Sequence, residues 1–363
     1  MQQPGAGADL EGAGEIAREG APHWVGPKVH ENPLSVAEIF ANFGYHDPRA
    51  LKDLVDAWRE RLWLSHAVVA SVAPAAHLAA LTLGIPSFEI SQGFHVPPPT
   101  LPTAPLRDWE PAPRQRLEQA DQRVLGAMNA ALAAYGVAPL SSIGGLFAGR
   151  TMLLTYPELD IYPERGPAEY YGIPRSSEGR SLPEWPAGRG PRVFAYLYHY
   201  YAELPRLLET LSALDAPTLM LCRGAAADLR GRYDGSSVQV TDEAMAASVL
   251  LEQCDLVVCH GSHQMTAQAL LAGKPVLLLP TQLEQFLITR RVVRFGAGLG
   301  AAPGTERPDF LAALAQLAEK SGYAAKAAEF AARYRGHDRD ASLSTMVERC
   351  EAALAQGTIS AGH

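Results

Sequence analysis

The segment "DLVVCHGSHQMTAQALLAGKPVLLLPTQLEQ" sets polar side chains at the ends of two apolar runs. The first run closes on His260, Gly261, Ser262 and His263, and a helical pattern begins within a few residues. The opening turn of a helix has unpaired N–H groups and the positive end of the helix dipole, a natural seat for an anion such as phosphate. Ser262 suits an N-cap and can add its hydroxyl to that seat. His260 can donate a hydrogen bond to a phosphate oxygen. Plain capping, with His260 and His263 bonded to backbone, accounts for the same spacing. The second run, "PVLLLP", closes just before "TQLEQ". Glu284 and Gln285 there can accept and donate several hydrogen bonds, which suits the hydroxyls of a sugar. A solvated first helical turn, where the dipole favours Glu, is the alternative.

Other acid–base candidates lie in the first half. His95 sits in "SQGFHVPPP", a loop beside an expected cleft, and is the catalytic candidate there. His77 falls among Ala and Leu on a helical pattern and reads as structural, and His66 precedes its strand at the edge away from a ligand. The one Asp-x-Asp, Asp338 to Asp340, lies in a polar turn and reads as a helix cap, and no Cys/His spacing suits zinc, so no metal is expected. No GxGxxG follows a first strand, which argues against a nicotinamide enzyme.

The elements that must hold these residues follow from patterning. The chain has 363 residues, 47% hydrophobic and 19% charged, enough for two cores. Its formal net charge is -8 with no basic block, so a nucleic-acid partner is not expected. No apolar stretch reaches the ~20 residues of a spanning helix, and the opening residues lack the apolar core of a signal peptide. The cysteines Cys222, Cys254, Cys259 and Cys350 form no CxxC pair and read as free thiols of a cytoplasmic protein. "AVVASVAP", "AAHLAALTLG" and "IPSFEIS" give strand, helix and strand, a parallel crossover. "GFHVPPPTLPTAPLRDW" reads as an ordered loop over a cleft, and "RQRLEQADQRVLGAMNAALAAYG" as a long helix. In the second half, apolar strands alternate with helices from "PRVFAYLYH" onward, which predicts a parallel sheet covered on both faces. The Pro- and Gly-rich stretch before it marks a domain boundary. The expected division is residues 1–165, a linker at 166–190, a second domain at 191–335, and a C-terminal helix at 336–363 packing back on the first domain.

With those residues in view, "DLVVCHGSHQMTAQALLAGKPVLLLPTQLEQFLITRRVVRFGAG" resembles the donor-binding half of GT-B nucleotide-sugar glycosyltransferases of the antibiotic and UDP-glucuronosyl type. "LTYPELDIYPER" with "YYGIP" resembles their interdomain segment, and the resemblance runs from about Ala21 to Gln356. It implies two Rossmann-like domains, a UDP- or dTDP-sugar as donor, no cofactor, a small hydrophobic acceptor, and metal-independent transfer with inversion. His260, Gly261, Ser262, His263, Gln264, Thr266 and His199 would then border the diphosphate. Glu284 and Gln285 would hold the sugar, and Val238, Gln239 and Val240, at the end of an inner strand, would lie by the base.

Two departures stand out. Ser262, Gln264 and Met265 replace residues of the family's Gly-rich turn, which alters the phosphate cradle. The strand, Gly-His loop and helix with which such proteins start are not visible, and that loop carries the usual base. A parallel sheet lacking a strand exposes an unpaired edge, and a second copy of the chain is one way to cover it. Two readings follow: a working glycosyltransferase, and an inactive homologue serving as a binding or partner subunit.

Overall fold

The computed structural model describes residues 15–17, 20–174, 181–182, 184–224, 227–301, 307–319 and 321–360, so part of the expected linker lies outside the described residues. The chain divides into two compact units. The first holds residues 1–154, 162–171 and 340–363, and the second 155–161 and 172–339.

In the first unit β1 (Glu15–Ala17) and β2 (His23–Val25) form an antiparallel hairpin. Ser35 caps the short α1 (Val36–Phe40). Asp47 caps α2 (Pro48–Leu62) by accepting from the N–H groups of Arg49 and Ala50, and Pro48 starts the helix where its missing N–H is no loss. The expected crossover is present: β3 (Val68–Ala70), α3 (Pro74–Leu83), which ends on Gly84 at φ 69°, and β4 (Ser87–Ser91). The long helix is α4 (Arg114–Ala133).

A strand that the patterning does not reveal, β5 (Thr151–Leu153), completes a parallel three-stranded sheet in the order β3-β4-β5. Beyond it the segment 162–171 runs alongside: Leu153 donates its N–H to Glu169 and accepts from Tyr171. That pairing draws 162–171 into the first unit, so the chain visits the second unit at 155–161, returns, and passes to it again after residue 171. On the other side of β3 no strand pairs among the described residues. In a parallel ladder Val68 faces β4, so the N–H and C=O of Val69 face the open edge, and its side chain is 58% exposed.

The second unit is built on one six-stranded parallel sheet. Its elements run β6 (Val193–Tyr198), α5 (Leu204–Ala213), β7 (Thr218–Arg223), α6 (Ala227–Arg232), β8 (Val238–Thr241), α7 (Ala247–Gln253) and β9 (Leu256–Cys259). They continue with α8 (His263–Leu271), β10 (Val276–Leu278), α9 (Leu283–Phe295), β11 (Gly298–Gly300), α10 (Phe310–Glu319) and α11 (Ser321–Tyr334). The strand order is β11-β10-β9-β6-β7-β8. Strands such as "LVVC" are buried throughout because helices cover both faces. Leu250, Ala267, Ile288 and Phe330 of α7, α8, α9 and α11 fill one core, and Leu207, Leu211, Phe310 and Leu314 of α5 and α10 the other. The chain steps outward from β6 to β7 and β8, then returns past β6 to β9. The carboxyl ends of β6 and β9 therefore flank the switch point, where open α/β sheets bind ligands. The last helix, α12 (Arg339–Ser360), lies almost wholly in the first unit, where its Met346 is buried beside Phe88 and Met152.

Candidate functional site

In the second unit β9 ends at Cys259, opposite Tyr196 of β6 and Leu278 of β10. His260 follows and is 3% exposed. Its Nδ1 lies 2.8 Å from the Leu279 carbonyl, which can only accept, so Nδ1 carries the hydrogen. Its Nε2 accepts the N–H of Tyr198 at 3.0 Å. The ring is thus neutral, and burial lowers its pKa further. His260 ties the ends of β10, β9 and β6 together across the switch point. In this arrangement backbone groups engage both ring nitrogens of His260, the residue expected to meet the diphosphate.

Gly261 takes φ 81°, and a Cβ there would stand 3.0 Å from Thr289 Oγ1 and 3.1 Å from the Gln285 carbonyl. The turn therefore needs glycine both for its backbone and for its closeness to α9. Ser262 is the N-cap of α8, yet its hydroxyl caps no amide. That half-buried hydroxyl stands beside the opening N–H groups of α8, the kind of group that suits an anion.

The next side chains, also expected by the diphosphate, have partners within the protein. His263 is 4% exposed, and its Nε2 lies 2.6 Å from Thr155 Oγ1. Burial pushes its pKa down to about 4, against the field of Asp160. Gln264 donates to the Pro174 carbonyl at 3.1 Å. Thr266 is fully buried with its hydroxyl 3.9 Å from Cys259 Sγ. His199 is exposed in the turn after β6, its Nδ1 3.0 Å from the Arg223 carbonyl.

At the start of α9, Gln285 is 6% exposed, and its Oε1 accepts from the N–H and hydroxyl of Thr281 at 2.8 and 3.1 Å. Its carboxamide oxygen is thereby committed to the turn, leaving the NH₂ as the group that can meet a ligand. Glu284 is half-buried, and burial raises its pKa. The residues expected by the base lie on β8. β8 is the edge strand and not an inner one. Val238 and Val240 point into the core. Val238 and Gln239 border an open hollow with Ser236 and Asp215, at the amino ends of the strands and away from the switch point.

In the first unit His95 lines a cavity of about 710 Å³ walled by Trp24, Phe40, Tyr45, Trp58 and Val69. Of the Pro-rich loop it alone reaches that wall, so the cavity is lined by aromatic rings and the open strand edge more than by prolines. Burial holds the His95 pKa down to about 4, with Glu89 opposing the shift. His77, read from the sequence as structural, pairs with an acid of the next strand. His77 and Glu89 are both fully buried, 2.9 Å apart. Glu89 also accepts the N–H of Val72, a residue held at φ 58°. The signal in the sequence was an acid in the middle of the apolar strand "SFEIS". Among the described residues no group of three or more His, Cys, Asp or Glu side chains gathers as for a metal, and no helix is long and apolar enough to cross a membrane.

Comparison with known proteins agrees with this architecture. Residues 206–348 match the family described as Erythromycin biosynthesis protein CIII-like, C-terminal domain. No curated protein matches the chain. Among solved structures, the Streptomyces sp. SF2575 glycosyltransferase SsfS6, complexed with thymidine diphosphate, is 21% identical with a TM-score of 0.58, covering 86% of this chain and 77% of that one. The spinosyn rhamnosyltransferase SpnG, complexed with spinosyn aglycone, is 16% identical with a TM-score of 0.57, covering 84% and 80%. CalG4, the calicheamicin glycosyltransferase, is 18% identical with a TM-score of 0.62, covering 85% and 78%. At these identities the likeness establishes the fold. The chain has the GT-B architecture of two Rossmann-like units, and the resemblance to antibiotic-type glycosyltransferases read from the sequence is borne out.

Proposed function

We propose that the protein is a glycosyltransferase that moves a sugar from a UDP- or dTDP-sugar to a hydroxyl of a small apolar acceptor. The observation that carries this is the start of α8. A helix N-terminus without a side-chain cap, its Ser262 hydroxyl uncommitted, opens at the switch point of a parallel sheet. As the bond from sugar to diphosphate breaks, negative charge grows on the leaving oxygens. Fixed N–H dipoles and a hydroxyl stabilise that charge without needing to reorganise, so the transfer does not require a metal. Glu284, in the first turn of α9, accepts from the sugar hydroxyls. The apolar cavity of the first unit takes the acceptor. His95 on its wall accepts the proton of the attacking hydroxyl, and attack from the face opposite the diphosphate inverts the anomeric carbon. An imidazole held at about 4 is neutral at physiological pH but a weak base.

That weakness favours a second reading, an inactive homologue that binds nucleotide sugar as a partner subunit. Titration of the full chain with UDP and dTDP in the presence of EDTA, followed by assay of transfer and donor hydrolysis, separates the two. Binding with turnover supports the enzyme, and binding without turnover of any donor supports the partner subunit. No heat with any nucleotide or nucleotide sugar at millimolar concentration overturns both.

A further inference from the structure

The first strand of the second unit's sheet ends in "YLYHYY", and its aromatic rings are ordered about the switch point. Tyr198 lies nearly parallel to His260, with centroids 5.4 Å apart and planes 11° apart. Tyr200, in the turn after the strand, lies nearly parallel to the other end of this set, 5.2 Å from Tyr198 at 6°. Tyr201 meets His260 edge-on at 5.5 Å. The set is anchored twice over, since the Tyr198 N–H is the bond that satisfies His260 Nε2. The turn itself is seated by His199, whose Nδ1 lies 3.0 Å from the Arg223 carbonyl and within 2.6 Å of where a Cβ on Gly224 would stand. Yet Tyr200 is 62% exposed.

A single exposed aromatic is ordinary on a protein surface. One laid flat on an anchored ring, at the carboxyl end of the strand beside the anion seat, is a rigid π-face presented where a ligand binds. We infer that Tyr200, which also meets the His199 ring edge-on at 5.6 Å, is a substrate-binding residue whose exposed ring stacks on a flat aromatic ring of a substrate. This rests on the proposed donor site. Two sources supply that chemistry, the nucleobase of the donor and an aromatic ring of the acceptor. Stacking of this kind tolerates changes in the hydrogen-bonding edge of the ring, because every base has a π-face. The site would therefore not distinguish UDP from dTDP strongly.

The test uses the full chain and its Tyr200→Ala, Tyr200→Phe and Tyr200→Trp variants, with melting curves as the control for folding. Calorimetry is run with UDP, dTDP and inorganic pyrophosphate, and with 4-methylumbelliferone against 1-octanol as acceptor probes. If the base is the partner, Tyr200→Ala weakens UDP and dTDP about tenfold or more and leaves pyrophosphate unchanged. If the acceptor is the partner, the same variant weakens 4-methylumbelliferone about tenfold and leaves UDP and 1-octanol unchanged. In either case Phe and Trp restore binding. The inference is overturned if Tyr200→Ala binds UDP and 4-methylumbelliferone as the wild type does, if pyrophosphate weakens as much as UDP, or if Phe behaves like Ala. A wild type that binds neither nucleotide nor pyrophosphate overturns the donor-site reading instead, and the 4-methylumbelliferone arm still decides the stacking.

Discussion

The Ser262 hydroxyl caps no amide of α8, so removing it costs the helix little. The same hydroxyl is expected to donate to a charged phosphate oxygen, a bond worth about 1.5–3 kcal/mol. Ser262→Ala should therefore weaken UDP by about tenfold or more in calorimetry and leave the melting temperature within ~2 °C. His260, two positions earlier, should behave in the opposite way. His260→Ala strands the part-buried Tyr198 N–H and the buried Leu279 carbonyl, at up to about 1–3 kcal/mol for each unsatisfied group. Its main effect should be a melting temperature lower by several degrees, with affinity falling only as the turn loosens. An unchanged melting curve with lost affinity would return His260 to direct phosphate contact. Glu284→Ala is a third case. It should alter the relative kcat/KM among donor sugars and leave the UDP dissociation constant alone, and an equal loss for UDP would place the carboxylate on the diphosphate. What the sequence offered here was residue type and place in the chain, and that placed Ser262 at the N-cap of α8. It did not offer direction. The groups that claim His263, Gln264 and His260 belong to Thr155, Pro174, Tyr198 and Leu279, remote in sequence, and no local pattern announces them.

At the scale of elements, α8 begins with a buried imidazole, and its chemistry ties the helix to pH. An unfolded histidine titrates near 6.5, whereas His263 in the fold is held down to about 4 by burial. Between those values the unfolded chain binds a proton that the folded chain does not, so stability rises with pH across the window. The contribution is fully present above about pH 6.5 and is lost as pH falls toward 4, on the order of 3 kcal/mol over the whole window. Urea unfolding of wild type and His263→Gln at pH 5 and 7 measures it. The variant should show a shallower difference between the two pH values, and an identical slope would mean that His263 is not the titrating group. The elements themselves were largely legible. Continuous apolar strands, the Gly84 stop of α3 and the His-Gly turn before α8 follow from the pattern. β5 was not, because three residues between a turn and a Tyr/Pro segment show no alternation. Nor was strand order. β8 reads as inner from its sequence, but its place at the edge is set by pairing with β7 alone.

At the scale of the whole molecule, the two units carry different chemistry. The first holds an apolar cavity beside a strand edge that is unpaired among the described residues, the second a polar turn at a switch point. Their cores are separate, and the chain joins them through segments that pass between units more than once. Donor and acceptor should accordingly leave separate footprints in hydrogen exchange. UDP should slow exchange across residues 261–266 and 282–287, because the opening amides of α8 and α9 gain acceptors or lose solvent. An apolar aglycone added without nucleotide should slow residues 67–76, along β3 and the start of α3, and should quench Trp24 and Trp58 on the cavity wall. Protection of 67–76 by UDP alone would mean that the nucleotide occupies the cavity assigned to the acceptor. Protection of 261–266 by the aglycone alone would mean that the acceptor site is not confined to the first unit. Either result would move the assignment of substrates, while the fold that positions both sites would stand.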